Sequence, residues 1–219
     1  MRITRIESQK RHPGRKNIYV DGAFLTGASV ETLLRLGLRS GDDIGPEVVA
    51  RLLHTESLLS ARSGALRLLS VRPRTVKELR DRLRAKGYDP ATVEAVVADL
   101  QRAALLDDEA FARAYIRDRT ALKASGPTLL REKLLRLGVP AAIVEQAIAE
   151  ELGTVDIDQL ALRTVRAYLR KQPARATPQP DQGLRRRAAA HLARRGFSWE
   201  TIARVLTQAL SEDAGDRHE

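Results

Sequence analysis

The sequence has no cysteine and few aromatic residues, and both shortages limit what the chain can be. Without cysteine there are no disulfides, thiolate zinc ligands or cysteine nucleophiles. Aromatic residues make up 4% of the 219 residues and hydrophobic residues 43%, so aliphatic side chains must build the core. This composition favours a helix-rich protein.

Long apolar segments are also missing. No stretch of 18 or more consecutive apolar residues occurs, and the N-terminal sequence MRITRIESQKRHPGRK has no apolar signal-peptide core. We therefore expect a cytoplasmic protein with no membrane partner.

Groups that could support catalysis are scarce. The four histidines have no partner at metal-binding spacing, and no glycine-rich nucleotide-binding motif is present. The carboxylate run Asp107-Asp108-Glu109 stands where a helix begins, so we interpret it as a cap and an acidic first turn. We expect no enzyme, no metal and no cofactor. A nuclease or ATPase that uses unpaired carboxylates is the least favoured alternative.

Positive charge is in excess and unevenly distributed. Lysine and arginine total 38 against 28 acidic residues, a formal net charge of +10. Residues 62–86 contain nine basic and two acidic residues, whereas residues 138–160 contain five acidic and no basic ones. The excess favours a polyanionic partner.

The N-terminal region predicts a small cap that contains a β-hairpin. The segments ITRIESQ, NIYV and AFL are typical of short strands, and Asp21-Gly22 favours a type I′ turn. A short helix is predicted from about Val30 to Leu36, and a longer one begins at Pro46. We place the end of the cap near Ser60 to Gly64.

Beyond the cap, one pattern occurs three times. Each copy has an apolar helix, a second helix rich in Arg and Lys, a glycine and a third apolar helix. The glycines are Gly87, Gly138 and Gly196, spaced by 51 and 58 residues. We predict a mainly α protein, an elongated tandem array of three-helix repeats behind the N-terminal cap.

The predicted organisation has five parts. A Pro-rich insertion, 172–183, lies within the third repeat. The parts are the cap 1–60, repeat 1 at 61–105, repeat 2 at 106–153, repeat 3 at 154–211 and a disordered tail at 212–219.

The basic second helices are the candidate interface. An alternative is that they are solvated faces stabilised by local pairs with Glu78, Asp81 or Glu132. The candidate contact residues are Arg74, Lys77, Arg80, Arg84, Lys86, Arg131, Lys133, Arg136, Arg185, Arg186, Arg187, Arg194 and Arg195. A base-stacking platform is not expected, because Tyr88, Phe111, Tyr115 and Trp199 are interpreted as core residues.

Three segments resemble the RecX regulators of bacterial recombination. They are ALRLLSVRPRTVKELRDRLRAKGYD, LLDDEAFARAYIRDRTALKASGPTLLREKLLRLGV and the third copy, together covering about Gly64 to Leu210. The N-terminal ITRIESQ…NIYVDGAFL is similar to the β extension of some members. The third copy departs from the usual pattern through its Pro-rich insertion.

The resemblance implies a non-enzymatic regulator, and we expect the protein to be a monomer. Its partner would be the RecA filament on single-stranded DNA, whose ATPase, strand-exchange and coprotease activities it would lower in recombination and SOS repair, by capping or by destabilising the filament. A direct DNA-binding protein of the helix-turn-helix type is the alternative, because helix, glycine turn and helix imitate that motif and could also bind double-stranded DNA.

Overall fold

The computed structural model describes residues 1–10, 12–172 and 182–215, and it divides into two compact units. Unit 1 contains Met1–Arg74 and Glu78–Leu106, and unit 2 contains Thr75–Lys77 and the chain from Asp107 onward. Within the described residues, three strands are followed by ten helices. The predicted mainly α fold, with a small N-terminal sheet and tandem three-helix repeats, is confirmed.

Unit 1 begins with an antiparallel sheet in the order β1 (Ile3–Gln9), β2 (His12–Val20) and β3 (Ala23–Ser29). Asp21 and Gly22 join β2 to β3 with φ values of 49° and 83°. Positive φ at both positions is what a type I′ turn requires, so the predicted hairpin is confirmed. The second and third strands are longer than the segments NIYV and AFL that were predicted.

A buried carboxylate ties the sheet to the helices that cover it. These are α1 (Val30–Leu36) and α2 (Pro46–Val71). Glu56 on α2 accepts hydrogen bonds from the Ser29 amide at 2.8 Å and the Thr32 hydroxyl at 2.7 Å. Arg15 on β2 forms an ion pair with the same carboxylate at 2.8 Å. Removing any of these partners would leave a buried charge less well satisfied.

The predicted boundary near Ser60 to Gly64 is not a break in the chain, because α2 continues through it for 26 residues. Gly64 is buried beside Tyr88, whose hydroxyl hydrogen-bonds Ser60 at 2.9 Å. A glycine inside a helix costs only about 1 kcal/mol relative to alanine. Packing of the small residues Ala61 and Ala65 in the core outweighs that cost.

The first repeat is completed by α3 (Val76–Arg84) and α4 (Pro90–Arg102). Leu79 and Leu83 of α3 are fully buried. The Asp89 carboxylate accepts from the Thr92 amide at 2.9 Å, as an N-cap should. Between the helices, Gly87 adopts a left-handed φ of 87°.

Six helices lie in the described part of unit 2. They are α5 (Asp108–Lys123), α6 (Pro127–Arg136), α7 (Ala141–Leu152), α8 (Ile157–Leu169), α9 (Gln182–Arg194) and α10 (Trp199–Gly215). Asp107 and Asp156 cap α5 and α8, as predicted. Two apolar cores follow the repeat pattern, one under α5 to α7 and one under α8 to α10.

Two predicted irregular segments fall partly outside the described residues. For the Pro-rich insertion, 173–181 are outside that range, and 182–183 already belong to α9. The tail prediction was wrong for 212–215, which continue α10, because apolar residues up to Leu210 anchor that helix. Residues 216–219 lie outside the described part of the chain.

In unit 2, the starts of α6 and α3 each hydrogen-bond backbone carbonyls of the repeat that follows in the sequence. Gly126 and Thr128 donate their amides to the carbonyls of Arg195 and Gly196 at 2.7 and 3.1 Å. A Cβ at Gly126 would overlap the Gly196 carbonyl. Correspondingly, Thr75 donates its hydroxyl to the Leu137 carbonyl at 2.7 Å.

Replacing Gly196 by alanine should destabilise the protein more than the same change at Gly87. Both residues have a left-handed φ, +84° and +87°, which costs alanine about 1–2 kcal/mol. At Gly87 nothing lies within 4 Å of the added Cβ, whereas at Gly196 it overlaps the Leu129 backbone. We expect an additional loss of about 1–3 kcal/mol at Gly196, measured by urea unfolding.

Gly138→Ala supplies the intermediate member of this series. Its added Cβ would meet the Lys77 side chain, of which the outer carbons can rotate away, whereas Lys77 Cβ at 2.5 Å can yield only through a small backbone shift. Equal losses at all three glycines would show that the left-handed φ alone matters and that the close approach at Gly196 does not.

Candidate basic interface on the second helices

The second helices of the three repeats, α3, α6 and α9, differ in net charge. The helices α3 and α6 each carry a net charge of +2, because acidic residues are interspersed, while α9 has +4 and no acidic residue. The three copies therefore do not offer the same surface to a polyanion.

Two arginines of the candidate interface each form a two-pronged ion pair within their own repeat. Arg80 donates from Nε and Nη2 to the two carboxylate oxygens of Glu94, both at 2.7 Å. Arg131 binds Glu145 in the same two-pronged manner, at 2.6 and 2.7 Å. We call Arg80–Glu94 and Arg131–Glu145 the repeat ion pairs. Both span 14 residues, and they lie 51 residues apart, like Gly87 and Gly138.

The repeat ion pairs fix the charge state of their carboxylates. Hydrogen bonding to Arg80 lowers the pKa of Glu94, with a further contribution from the charge of Arg84, whose Nη2 lies 3.0 Å away. Hydrogen bonding to Arg131 likewise lowers the pKa of Glu145. Each pair joins the second helix to the third, so these arginines stabilise the repeat as well as contributing surface charge.

Arg74 is not a surface contact residue, which corrects the sequence interpretation. It is 9% exposed, and its Nε donates to the Leu68 carbonyl at 3.0 Å. Its Nη1 pairs with Glu78 at 2.6 Å, and Arg72 pairs with the same carboxylate. Burial opposes ionisation of Glu78, but the bonds and charges of Arg72 and Arg74 lower its pKa. Arg74 therefore supports the turn before α3.

The remaining candidate cations differ in exposure. Arg195 is half-buried, and its Nη1 donates to the Lys123 carbonyl, so it serves as a structural contact as well. Lys133 is also half-buried. The exposed candidates are Lys77, Arg84, Lys86, Arg136, Arg185, Arg186, Arg187 and Arg194.

The third repeat lacks a repeat ion pair. Counting from the shared glycine, 109 residues separate Gly87 from Gly196, which places Ala189 and Ala203 where Arg80 and Glu94 stand. Within the described ranges, no residue forms an ion pair with Arg185, Arg186 or Arg187. These three arginines are exposed because Leu184, Ala188 and Leu192 face the core.

The carboxylate run has the structural role that was predicted. Asp107 accepts from the amides of Glu109 and Ala110 at 2.8 and 3.0 Å. Asp108 is buried and accepts from the Val76 amide at 2.9 Å. In the part of the chain that the structure describes, no three His, Cys, Asp or Glu side chains are placed to hold a metal ion. No described helix is both long and apolar enough to cross a membrane.

One of the four aromatic assignments was wrong. Tyr88, Phe111 and Tyr115 are half-buried, whereas Trp199 is 71% exposed. Trp199 is the first residue of α10, where its side chain precedes the apolar face that begins with Ile202. Sequence spacing alone did not distinguish the exposed position of Trp199 from the half-buried positions of the other three aromatic residues.

Four family models match the chain, in the order of the structural elements. They are described as the regulatory protein RecX N-terminal domain, over residues 1–45, and the first, second and third three-helix domains of RecX, over residues 61–100, 107–148 and 156–206. The last three ranges each contain one basic second helix.

Curated relatives named "Regulatory protein RecX" match nearly the whole chain. The protein from Halalkalibacterium halodurans is 32% identical over 204 residues, which cover 91% of this chain and 75% of the relative. The protein from Clostridium acetobutylicum is 27% identical over 212 residues, which cover 96% and 97%.

Two solved structures share the fold. One titled as regulatory protein RecX has a TM-score of 0.69 at 24% identity and covers 93% of this chain and 98% of its own. The RecX structure from Lactobacillus salivarius has a TM-score of 0.61 at 22% identity and covers 71% and 97%. At these identities the likeness establishes the fold alone.

Changing Arg131 should raise the pKa of Glu145. The carboxyl pKa lies below its ordinary value of 4.5 because Arg131 donates two hydrogen bonds to it. Arg131→Ala removes the bonds and the charge, while Arg131→Lys keeps the charge and loses the two-pronged geometry. We expect the ¹³C-carboxyl NMR titration midpoint to rise in the order wild type, lysine variant, alanine variant.

The same shift sets a pH dependence of stability. A lowered folded-state pKa stabilises the fold above the unfolded-state pKa, and this contribution is lost as the pH falls through the folded-state pKa. It should therefore be complete at pH 7 and decline in the acid range. If the NMR titration midpoint of Glu145 were the same in the wild type, the lysine variant and the alanine variant, the assigned role of Arg131 would be contradicted.

Proposed function

The chain belongs to the RecX family, and we propose on that premise that it binds the RecA filament on single-stranded DNA as a monomer and inhibits its recombinase, ATPase and coprotease activities. Its curated relatives are named regulatory proteins rather than enzymes. The observation that carries the proposal is the exposed arginine cluster of α9, Arg185 to Arg187, which has no ion-pair partner among the described residues.

The arginine cluster of α9 suits a polyanion. Arginine keeps its charge at any physiological pH and can bind a phosphate or carboxylate with two parallel hydrogen bonds. An arginine already paired with a carboxylate must break that pair first, and Arg80 and Arg131 are paired in this way. We therefore assign α9 the larger share of binding, and α3 and α6 a smaller one.

Weak contacts on several helices would reinforce each other on a repetitive target. Each of α3, α6 and α9 carries excess positive charge. When one helix has bound, the others act at high effective concentration, so the combined affinity exceeds that of any single helix. A filament presents phosphates and protein carboxylates at regular intervals, which is the kind of target on which such linkage operates.

The experiment is RecA ATP hydrolysis on single-stranded DNA, titrated with the wild-type protein and with an Arg185→Glu/Arg186→Glu/Arg187→Glu variant. We expect the variant to need at least about tenfold more protein for half-maximal inhibition, because three exposed cations become repulsive. The Arg80→Glu/Arg131→Glu variant should lose less inhibition, although it breaks both repeat ion pairs.

A control variant changes the net charge equally without touching the second helices. Arg39→Glu/Arg51→Glu/Arg102→Glu alters three exposed arginines of unit 1, and it should inhibit like the wild type. Equal inhibition by the α9 variant and this control would reject α9 as the binding element. Circular dichroism of each variant checks that the helices remain folded.

Binding to DNA without RecA separates this proposal from the helix-turn-helix alternative. For direct phosphate binding to single strands, log K should fall with log salt by about 0.7 per neutralised phosphate. Inhibition at protein levels that leave naked single- and double-stranded DNA unbound would support filament recognition. Inhibition that appears only when the DNA itself is coated would favour direct DNA binding.

A further inference from the structure

An open cleft in unit 2 lies apart from the exposed arginine cluster of α9. Most of its lining comes from α5, α8 and α9, with Glu151 of α7 and Val155 before α8, and its volume is about 830 Å³. Its floor is aliphatic, with Ile116, Ala124, Val155 and Leu160 among the lining residues. Leu122, at one side, is 82% exposed. An exposed leucine beside an aliphatic floor marks a surface that gains free energy when it is covered.

The sides of this cleft are cationic. Its lining includes Arg117, Lys123, Arg163, Lys171 and Arg195. Glu151 is the one acidic side chain among the described lining residues, and Arg117 already pairs with it at 2.6 Å. Within the described ranges, Lys123, Arg163 and Lys171 form no ion pair, and all three are exposed. Positive charge in the cleft is therefore not balanced from within.

Internal contacts hold the walls in place. Arg195 of the α9 end donates to the carbonyl of Lys123 at the end of α5. The rings of Tyr168 on α8 and His191 on α9 stack with centroids 4.5 Å apart. Burial, with the charges of Arg195, Arg194 and Lys171, lowers the pKa of His191, in keeping with a positive potential at this site. A wall that is already ordered loses less entropy on binding.

We propose that the α5–α8–α9 cleft binds an acidic amphipathic helix of a protein partner, with its apolar side chains on the aliphatic floor and its carboxylates against Lys123, Arg163 and Lys171. An amphipathic helix in a hydrophobic groove is a common recognition mode in which residues i, i+3, i+4 and i+7 supply the anchors. The flanking cations select acidic helices over basic ones.

The residue types of the lining favour such a helix over a nucleic-acid strand. Single-stranded nucleic acid is bound by a cationic track together with exposed aromatic faces on which bases stack. The described lining has one tyrosine and no phenylalanine or tryptophan, and His191 covers one face of that tyrosine. The aliphatic floor instead matches leucine-type anchors.

The test is fluorescence anisotropy with the full chain and a labelled synthetic helix that has leucine at i, i+3, i+4 and i+7 and glutamate elsewhere. A second peptide has lysine in place of every glutamate, and an oligothymidylate of matched charge is the nucleic-acid probe. We expect the glutamate peptide to bind wild-type protein and the lysine peptide not to bind. Arg163→Glu/Lys171→Glu should weaken binding of the glutamate peptide by at least about tenfold.

Two further variants distinguish cleft binding from general attraction to a basic protein. Leu122→Gln keeps all charges and should weaken binding of the glutamate peptide, because one apolar contact is lost. Arg39→Glu/Arg51→Glu matches the charge change of the cleft variant at exposed residues of unit 1 that do not line the cleft, and it should leave peptide binding unchanged.

The outcomes are independent of RecA, so the filament proposal and this one can fail separately. No binding of the glutamate peptide to wild-type protein below about 1 mM overturns the inference. Equal weakening by the cleft variant and the Arg39→Glu/Arg51→Glu variant also overturns it. If the cleft variant loses oligothymidylate binding but keeps peptide binding, the cleft is a nucleic-acid site instead.

Discussion

The organisation of unit 2 depends on one backbone contact, the approach of the Gly196 turn to the start of α6. Gly126 at the N-cap of α6 has no side chain with which to cap the helix, so two of its first amides bond the carbonyls of Arg195 and Gly196. Unpaired amides at a helix start are costly when water is excluded. The contact requires glycine on both sides, since a Cβ on either residue would overlap the other segment's backbone. Gly196 thus ends α9 with a left-handed φ, and its carbonyl accepts a hydrogen bond from an amide in the first turn of α6.

Arginine has two uses in this chain, and the total charge does not separate them. Repeats 1 and 2 share the repeat ion pairs and also a second set joining first and third helices, Arg62–Asp99 and Arg113–Glu150, each at 2.9 Å and again 51 residues apart. A guanidinium that bridges two helices with two hydrogen bonds fixes their packing in a way that lysine cannot. Many arginines of repeats 1 and 2 are therefore neutralised locally, and the total of 38 basic residues overstates the number that are available to a partner.

The features that were predictable from the sequence are those set by local chemistry. Caps such as Asp89, Asp107 and Asp156, the Asp21-Gly22 turn and the helix-ending glycines depend on a few neighbouring residues, and the structure agrees with them. The continuity of α2, the burial of Arg74 and the exposure of Trp199 depend on what packs against each residue, which spacing does not encode. Glu94 and Glu145 could have been found, because the 14-residue separation from an arginine recurs at the repeat spacing. The cleft could not, since its residues come from several helices that are distant in the sequence.

The third repeat shows how a change in core chemistry alters the surface. Where the first repeat pairs Arg80 with Glu94, the third has Ala189 and Ala203, and Ala189 packs against a core that includes Phe197 and Leu206. Arg204 of α10 binds Asp158 of α8 through two hydrogen bonds, but among the described residues no ion pair joins α9 to α10, so Arg185 to Arg187 take no part in the charged bridges of this repeat. They are then available to a partner at no cost in broken intramolecular pairs, whereas Arg80 and Arg131 must exchange one carboxylate for another anion. The loss of the ion pair and the arginine-rich surface of α9 thus have a common physical origin.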